Sequence, residues 1–329
     1  MLEYLQLKGS YYEIGKAFGK SRRADRLLYH TPDNERLEYA YACEDVVRTH
    51  APDLLDELRG FSNGIGLEYQ QVLATHILPV VSTGCNLFFV KGESTCTRLP
   101  IFVRHMDWIE DDLKFLNLLE TKPVGKHSVL GFNLADLGCF DGLNETGLAV
   151  GTASIPFYIG KNGVGIRENL ATRWSLDNFS TVEETVEYLK SIPHVQPIVY
   201  LIADKTGVSA RVECTPIRVD AEISEGNLRI VCNFFMLDSM KELDSMPKDD
   251  RAWTYYRRIM EWFTQSNNDV KLDDIKRICR NHNTGICEHL DNPPGGTIYS
   301  WFSELGTGMI HLAVGYPCKN DYQRYQFTR

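Results

Sequence analysis

The chain has 329 residues, 43% of them hydrophobic and 24% charged, with a formal net charge of −9. That length can bury a sizeable core as one large domain or two. The acidic balance argues against a general nucleic-acid binder, whose phosphate-tracking surface needs an excess of Lys and Arg, and no apolar run reaches the roughly 18–20 residues that span a bilayer.

In chain order, the opening Met1-Leu2-Glu3-Tyr4-Leu5-Gln6-Leu7-Lys8 lacks the basic and apolar regions of a signal peptide, so cytoplasmic residence is expected. Ser10-Tyr11-Tyr12-Glu13 has the form of a capping box, with Ile14, Ala17 and Phe18 at helical spacing behind it. Helical periodicity continues through Leu37, Tyr41, Val46, Leu54, Leu55 and Leu58, broken at Pro52. Gly60 to Gly66 reads as a loop and Gln70 to Thr75 as a short helix. Residues 1–84 are therefore expected to be all-helical. From Cys85 the texture changes to strand-like runs at Asn86 to Val90, Ile101 to Arg104, Ser128 to Asn133, Gly147 to Thr152, Ile198 to Ala203, Val208 to Cys214, Leu228 to Asn233, Thr297 to Phe302 and Met309 to Val314. Helices are expected from a capping box at Thr181-Val182-Glu183-Glu184 towards Ser191, over Asp249 to Phe263, and over Leu272 to Cys279. Strands in long runs with helices inserted in blocks predict an α+β fold of two stacked antiparallel sheets between helical layers.

The chemistry concentrates at Gly84-Cys85 and at Arg104-His105-Met106-Asp107 in the next apolar segment. A cysteine is a good nucleophile only when its proton is taken. Cleavage of the Gly84–Cys85 bond would free an α-amino group, with an ordinary pKa of about 7.7–8.0, to act as that base on the same residue. Arg104 and Asp107 would sit beside it, holding the amine and favouring the thiolate. The nine cysteines, odd in number and without framework spacing, otherwise fit reduced thiols, most of them small buried hydrophobes.

These segments resemble the N-terminal-nucleophile hydrolases of the choloylglycine hydrolase group, and most closely the isopenicillin-N acyltransferase branch. The resemblance begins at Gly9-Ser10-Tyr11-Tyr12-Glu13-Ile14-Gly15 and runs through Cys85, Arg104-His105-Met106-Asp107-Trp108, Gly142-Leu143-Asn144-Glu145-Thr146-Gly147-Leu148-Ala149-Val150, Val231-Cys232-Asn233 and the late strands from Thr297 to Pro317. It implies a four-layer αββα sandwich over residues 85–329, preceded by a helical segment over 1–84 that self-cleavage separates and that stays bound as a partner. It implies Cys85 as nucleophile, Arg104 near the thiolate, Asp107 accepting from the amine, Asn233 donating to the oxyanion, Arg251 supporting the site, and no cofactor. The expected substrate is a small N-acyl amide or acyl donor, with neither nucleic acid nor membrane as partner. Ser154 stands where bile-salt hydrolases carry an asparagine, Asn86 and Cys232 where the family often has threonine, and the hairpin from Cys85 to Asp107 is longer than common. An unprocessed binding protein on the same fold is the alternative.

Each residue also has a plainer reading: Cys85 as packing, Arg104 and Asp107 as an ion pair on one strand end, Asn233 as a turn residue, and Arg251 as a solvated helix start in Lys248-Asp249-Asp250-Arg251. Cys279, His282, Cys287 and His289 offer four zinc-type ligands within eleven residues, but not at the spacing of paired knuckles, so no metal is expected. A papain-like pairing of Cys85 or Cys96 with His105 lacks any local signature, and His105 should face away from Arg104.

Overall fold

The computed structural model describes residues 2–80, 84–248, 250–291 and 294–328. The chain opens with β1 (Glu3–Gly9), α1 (Tyr11–Ser21), α2 (Asn34–His50), α3 (Asp53–Ile65) and α4 (Tyr69–His76). It continues with β2 (Gly84–Val90), β3 (Ile101–Ile109), β4 (Leu116–Pro123), β5 (Val129–Leu134), β6 (Asp141–Asn144), β7 (Ala149–Ser154), α5 (Glu168–Asn178) and α6 (Val182–Ser191). It ends with β8 (Ile198–Ala203), β9 (Ser209–Cys214), β10 (Val219–Ser224), β11 (Leu228–Val231), α7 (Arg251–Gln265), α8 (Leu272–Arg280), β12 (His289–Asp291), β13 (Pro294–Glu304), β14 (Met309–Val314) and β15 (Gln323–Gln326).

Two sheets result. The larger runs β1-β4-β5-β6-β7-β8-β9-β10 and is antiparallel except where β1 joins β4; the smaller runs β11-β2-β3-β13-β14-β15, with β12 on β13. An apolar layer between them includes Leu87, Phe89, Phe102, Phe132, Leu143, Leu201 and Trp301. The outer face of the larger sheet packs against α1 to α6 through residues such as Phe61, Leu73, Leu176, Tyr200 and Val212, and that of the smaller sheet against α7 and α8 through Phe88, Val103, Tyr255, Ile259 and Ile278. The order of layers is αββα, as the sequence pattern predicts.

Residues 1–84 are not all-helical. Glu3–Gly9 adds to the larger sheet as a strand parallel to β4, with Glu3 opposite Asn117 and Gly9 opposite Pro123. The alternation of Tyr4, Gln6 and Lys8 with Leu5 and Leu7 suits a strand with one buried face. The Ser10 capping box forms as expected. The expected loop from Gly60 to Gly66 is instead the last part of α3, closed by Gly66 in the left-handed conformation at φ 82°. Its glycines serve close helix approach: a Cβ on Gly60 would lie 2.1 Å from the Tyr12 carbonyl oxygen, and on Gly64 2.3 Å from that of Lys16. Gly15 and Gly19 on α1 answer them, 2.0 Å from the Glu57 and 2.3 Å from the Phe61 carbonyl oxygens by the same construction. Strands β4, β6, β10, β12 and β15 and helix α5 add to the expected elements. The helix expected from Asp249 begins at Arg251, with Asp250 as its cap; Asp249 itself lies outside the described residues. Among the described residues no helix is long and apolar enough to cross a membrane.

Because the α1–α3 contact has no room for a methyl group, Gly60→Ala should lower unfolding stability by about 1–3 kcal/mol in chemical denaturation. Unchanged stability would contradict the close packing.

Candidate active site

Cys85 is the second residue of β2, opposite Met106 on β3, with Leu87 opposite Arg104 and Gly84 opposite Asp107. Strand alternation puts Cys85, Leu87, Arg104 and Met106 on the face towards the larger sheet. The spacing of three between Arg104 and Asp107 sends Asp107 the other way. This separates two groups expected side by side, and the plain reading of them as each other's ion pair falls. The salt bridge of Arg104 is to Asp141 on β6 of the larger sheet, Nε to Oδ2 at 2.9 Å, both side chains buried.

Asp141 also accepts from Tyr299 Oη at 2.6 Å and Trp301 Nε1 at 2.6 Å, both on β13. Three donors of one sheet thus converge on one carboxylate of the other. Arg104 Nη2 lies 2.8 Å from Met106 Sδ, which is 3.6 Å from Cys85 Sγ. Burial alone would lower the Arg104 pKa, but the neighbouring Cys85 and Asp141 outweigh it and hold the guanidinium above its usual value. The arrangement delivers a fixed positive charge to the sulfur, the environment that favours a thiolate.

The backbone end of Cys85 has different neighbours. Its N–H donates to Asn233 Oδ1 at 2.7 Å, and Asn233 Nδ2 donates to the Ser154 carbonyl oxygen at 2.8 Å, so both ends of the amide are oriented by their partners. Asn233 follows β11 and Ser154 ends β7, so this amide also ties the two sheets. Asp107 accepts from Thr297 Oγ1 at 2.8 Å. An irregularity between Thr297 and Tyr299 on β13 lets Thr297 stand opposite Asp107 while Tyr299 stands opposite Met106. Arg251, the first residue of α7, brings Nη2 to 3.1 Å from where a Gly84 Cβ would lie, and the Asp107 Cβ would be 3.2 Å from that point. A glycine at this position leaves room for both groups. Glu288 lies beyond, 3.9 Å from Arg251 Nη1 and accepting from Tyr255 Oη. Burial pushes the Asp107 pKa up to about 6, opposed by the Thr297 hydrogen bond and the Arg251 charge.

Cys85, Arg104, Met106, Trp108, Phe140, Thr152 and Ser154 help line a small cavity of about 20 Å³. It adjoins, at Val80, Trp108 and Phe140, a cavity of about 240 Å³ that Tyr29, Phe115 and Leu134 make largely apolar. At Val80 and Ser154 it adjoins one of about 210 Å³ with Tyr158, Asn162 and Gln196 on its wall.

The expected site residues Gly84, Cys85, Arg104, Asp107, Ser154, Asn233 and Arg251 are brought together around β2. Asp141, Thr297 and Glu288 were missed. An acidic residue opening an otherwise apolar strand at Phe140-Asp141-Gly142-Leu143 was the signal for the first; the other two depend on tertiary register. The papain-like pairing does not form. His105 pairs in register with Asn86 on the face opposite Cys85, fully buried, its pKa pushed down to about 3 by burial and by Arg104, and Cys96 is exposed beside Asp269.

A profile of the acyl-coenzyme A:6-aminopenicillanic acid acyl-transferase family matches residues 93–319. Among solved structures, the chain is similar to a penicillin V acylase from Agrobacterium tumefaciens at 19% identity, covering 74% of this chain and 87% of that one with a TM-score of 0.52. It is also similar to a mutant of conjugated bile acid hydrolase from Clostridium perfringens (15% identity, 75% and 97% covered, TM-score 0.48) and to an N-acylethanolamine-hydrolyzing acid amidase ortholog from Caenorhabditis elegans (14%, 74% and 100%, 0.48). A search of curated proteins by sequence finds no match.

The folded Asp107 pKa of about 6 lies above its ordinary 3.8, so the folded chain holds this proton more tightly than the unfolded one. Its contribution favours folding at low pH and is lost as pH rises from about 4 through 6. In a Cys85→Ala background, Asp107→Asn should therefore be the more stable protein at pH 7, by up to about 3 kcal/mol, with the gain vanishing towards pH 4. Denaturation at both pH values checks this; a pH-independent difference would contradict it.

Proposed function

This chain belongs to the acyl-coenzyme A:6-aminopenicillanic acid acyl-transferase family, and from that premise we propose that it is a self-processing cysteine enzyme that transfers acyl groups from linear amides through a thioester on Cys85. The observation that carries the reading is the socket around the Cys85 backbone nitrogen. The atom that cleavage would turn into an amine already donates to Asn233 Oδ1 at 2.7 Å, while the sulfur on the other side of the residue faces the Arg104 guanidinium.

In processing, the Cys85 sulfur adds to the Gly84 carbonyl carbon and the C–N bond breaks, leaving a Gly84 thioester. Water hydrolyses it, giving a Gly84 carboxylate, a free thiol and a free α-amine on Cys85. Residues 1–84 then become a separate segment. The β1–β4 ladder and the buried contacts of Tyr11 Oη with Asp177 and of Arg173 with Glu57 would keep it attached.

In turnover, the amine takes the thiol proton as sulfur attacks the substrate carbonyl, and returns it to the leaving amine. Asn233 Nδ2 has two hydrogens and spends one on the Ser154 carbonyl oxygen. The other is the donor for the developing oxyanion, a contribution whose loss costs on the order of 100-fold or more in rate. Arg104 supports the thiolate, while Asp107 and Arg251 flank the amine. The apolar cavity beyond Trp108 and Phe140 suits the acyl group, and the one walled by Asn162 and Gln196 suits the amine portion. N-acylated amino acids, peptides, β-lactam side chains and acylated secondary metabolites are the substrate classes to try. Water or a second amine resolves the thioester.

Intact mass under native conditions tests the premise of the mechanism. Wild-type protein should resolve on denaturation into residues 1–84 and 85–329 that purify together, and Cys85→Ala should remain one chain of 37.6 kDa. A wild-type protein that stays whole while the amidase assay shows turnover would overturn the base assignment; one that stays whole and inert would favour a binding protein. Faster thioester release with added amine acceptors would mark a transferase, and unchanged release a hydrolase.

A further inference from the structure

Away from Cys85 the fold assembles a second cluster of chemistry-bearing side chains. One ligand atom from each of His282, Cys287, His289 and Cys318 comes within 4.8 Å of the other three. The zinc-type set read from local spacing included Cys279, which the structure places instead against Ser300 and Tyr322. Its place is taken by Cys318, 29 residues beyond His289 in the chain, a distance at which no short-range motif would pair them. We infer that His282, Cys287, His289 and Cys318 form a tetrahedral site for a zinc-class divalent cation.

Two thiols and two imidazoles are the donor set of closed structural zinc sites, and that mixture of soft and borderline ligands selects zinc over calcium or magnesium. With metal–sulfur and metal–nitrogen bonds near 2.3 and 2.0 Å, the edges of such a tetrahedron are about 3.3–3.8 Å. His289 Nε2 and Cys318 Sγ are already 3.2 Å apart, and since no two of the four ligand atoms are more than 4.8 Å apart, closing the widest separation by about 1 Å completes the tetrahedron. The outer contacts orient the ligands as metal sites require. His282 Nδ1 lies 3.1 Å from the Cys287 carbonyl oxygen, an acceptor, which makes Nδ1 the protonated nitrogen and leaves the Nε2 lone pair for a metal. The His289 ring stacks on Tyr316 at 3.9 Å between centroids. The Cys287 N–H donates to the Asn281 carbonyl oxygen at 3.2 Å, and Arg258 donates to the Gly285 carbonyl oxygen at 2.9 Å, so the loop that carries two ligands is fixed to α7 and α8.

The site also lies next to catalytic geometry. Glu288 stands between ligands Cys287 and His289 and turns its carboxylate to Arg251 and Tyr255. A cation there would clip the turn after β14 to the β12 arm and hold Glu288, and through it Arg251, beside Gly84. This reading does not depend on whether Cys85 is processed.

The test is metal analysis of full-length protein purified from zinc-supplemented medium and dialysed against zinc-free buffer. About one zinc per chain is expected, with Cys318→Ser and His289→Ala losing it and Cys96→Ser, at an exposed thiol outside the cluster, keeping it. Replacement by cobalt(II) should give the intense visible bands of tetrahedral thiolate coordination, and a chelator should lower the melting temperature of wild type but not of Cys318→Ser. Zinc far below one per chain, a Cys287–Cys318 disulfide in freshly purified protein, equal loss of zinc in Cys96→Ser, or weak octahedral cobalt bands would each overturn the assignment.

Discussion

The structure turns on the buried contact between Arg104 and Asp141. A guanidinium and a carboxylate taken out of water cost several kcal/mol each in desolvation, and only good geometry with further hydrogen bonds returns that cost. Here Tyr299 and Trp301 saturate the carboxylate alongside Arg104. Losing one partner of such a pair typically costs about 3–5 kcal/mol, because the other charge is left stranded. The pair therefore fixes how the two sheets stack and, by the same contact, where the positive charge sits relative to Cys85. Fold stability and sulfur environment are set by one interaction.

From that fixed point the rest of the site is arranged by strand geometry. Side chains of β2 and β3 that face the larger sheet build the sulfur side: Cys85, Arg104 and Met106. The opposite side of the same register gathers Asp107, Thr297 and Arg251 beside Gly84, while Asn233, after β11, receives the Cys85 backbone N–H. In the proposed mechanism the nucleophile supplies its own base and needs two such environments within one residue, one favouring a thiolate and one receiving an amine. The end of a strand provides them because side chain and backbone point to different neighbours. The N-terminal segment contributes the remaining wall, with Tyr29 and Val80 on the cavities next to Cys85 and four helices covering the larger sheet.

Much of this was legible in the sequence because it rests on local pattern. The layered architecture followed from runs of strand-forming residues with helices in blocks. Cys85, Arg104 and Asp107 stood out as chemistry-bearing residues in otherwise apolar strands. What the sequence could not convey was which face each occupied and what lay across the sheets. The odd spacing of Arg104 and Asp107 is a face rule in plain sight, yet only the partner Asp141, 37 residues later, explains why Arg104 tolerates burial. Glycines 60 and 64 read as a loop because a sequence shows their conformational freedom and hides the opposing helix that excludes a Cβ. Cys318 was out of reach for the same reason: its neighbours are neighbours only after β13 and β14 have formed.

The most direct test of the central claim is the rate of Cys85 alkylation by iodoacetamide at neutral pH, followed by peptide mass spectrometry in folded wild-type and Arg104→Gln proteins. A charge fixed against the sulfur predicts that the substitution slows modification of Cys85 by about tenfold or more, with the exposed Cys96 reacting alike in both. Equal rates at Cys85 in the two folded proteins would contradict the account.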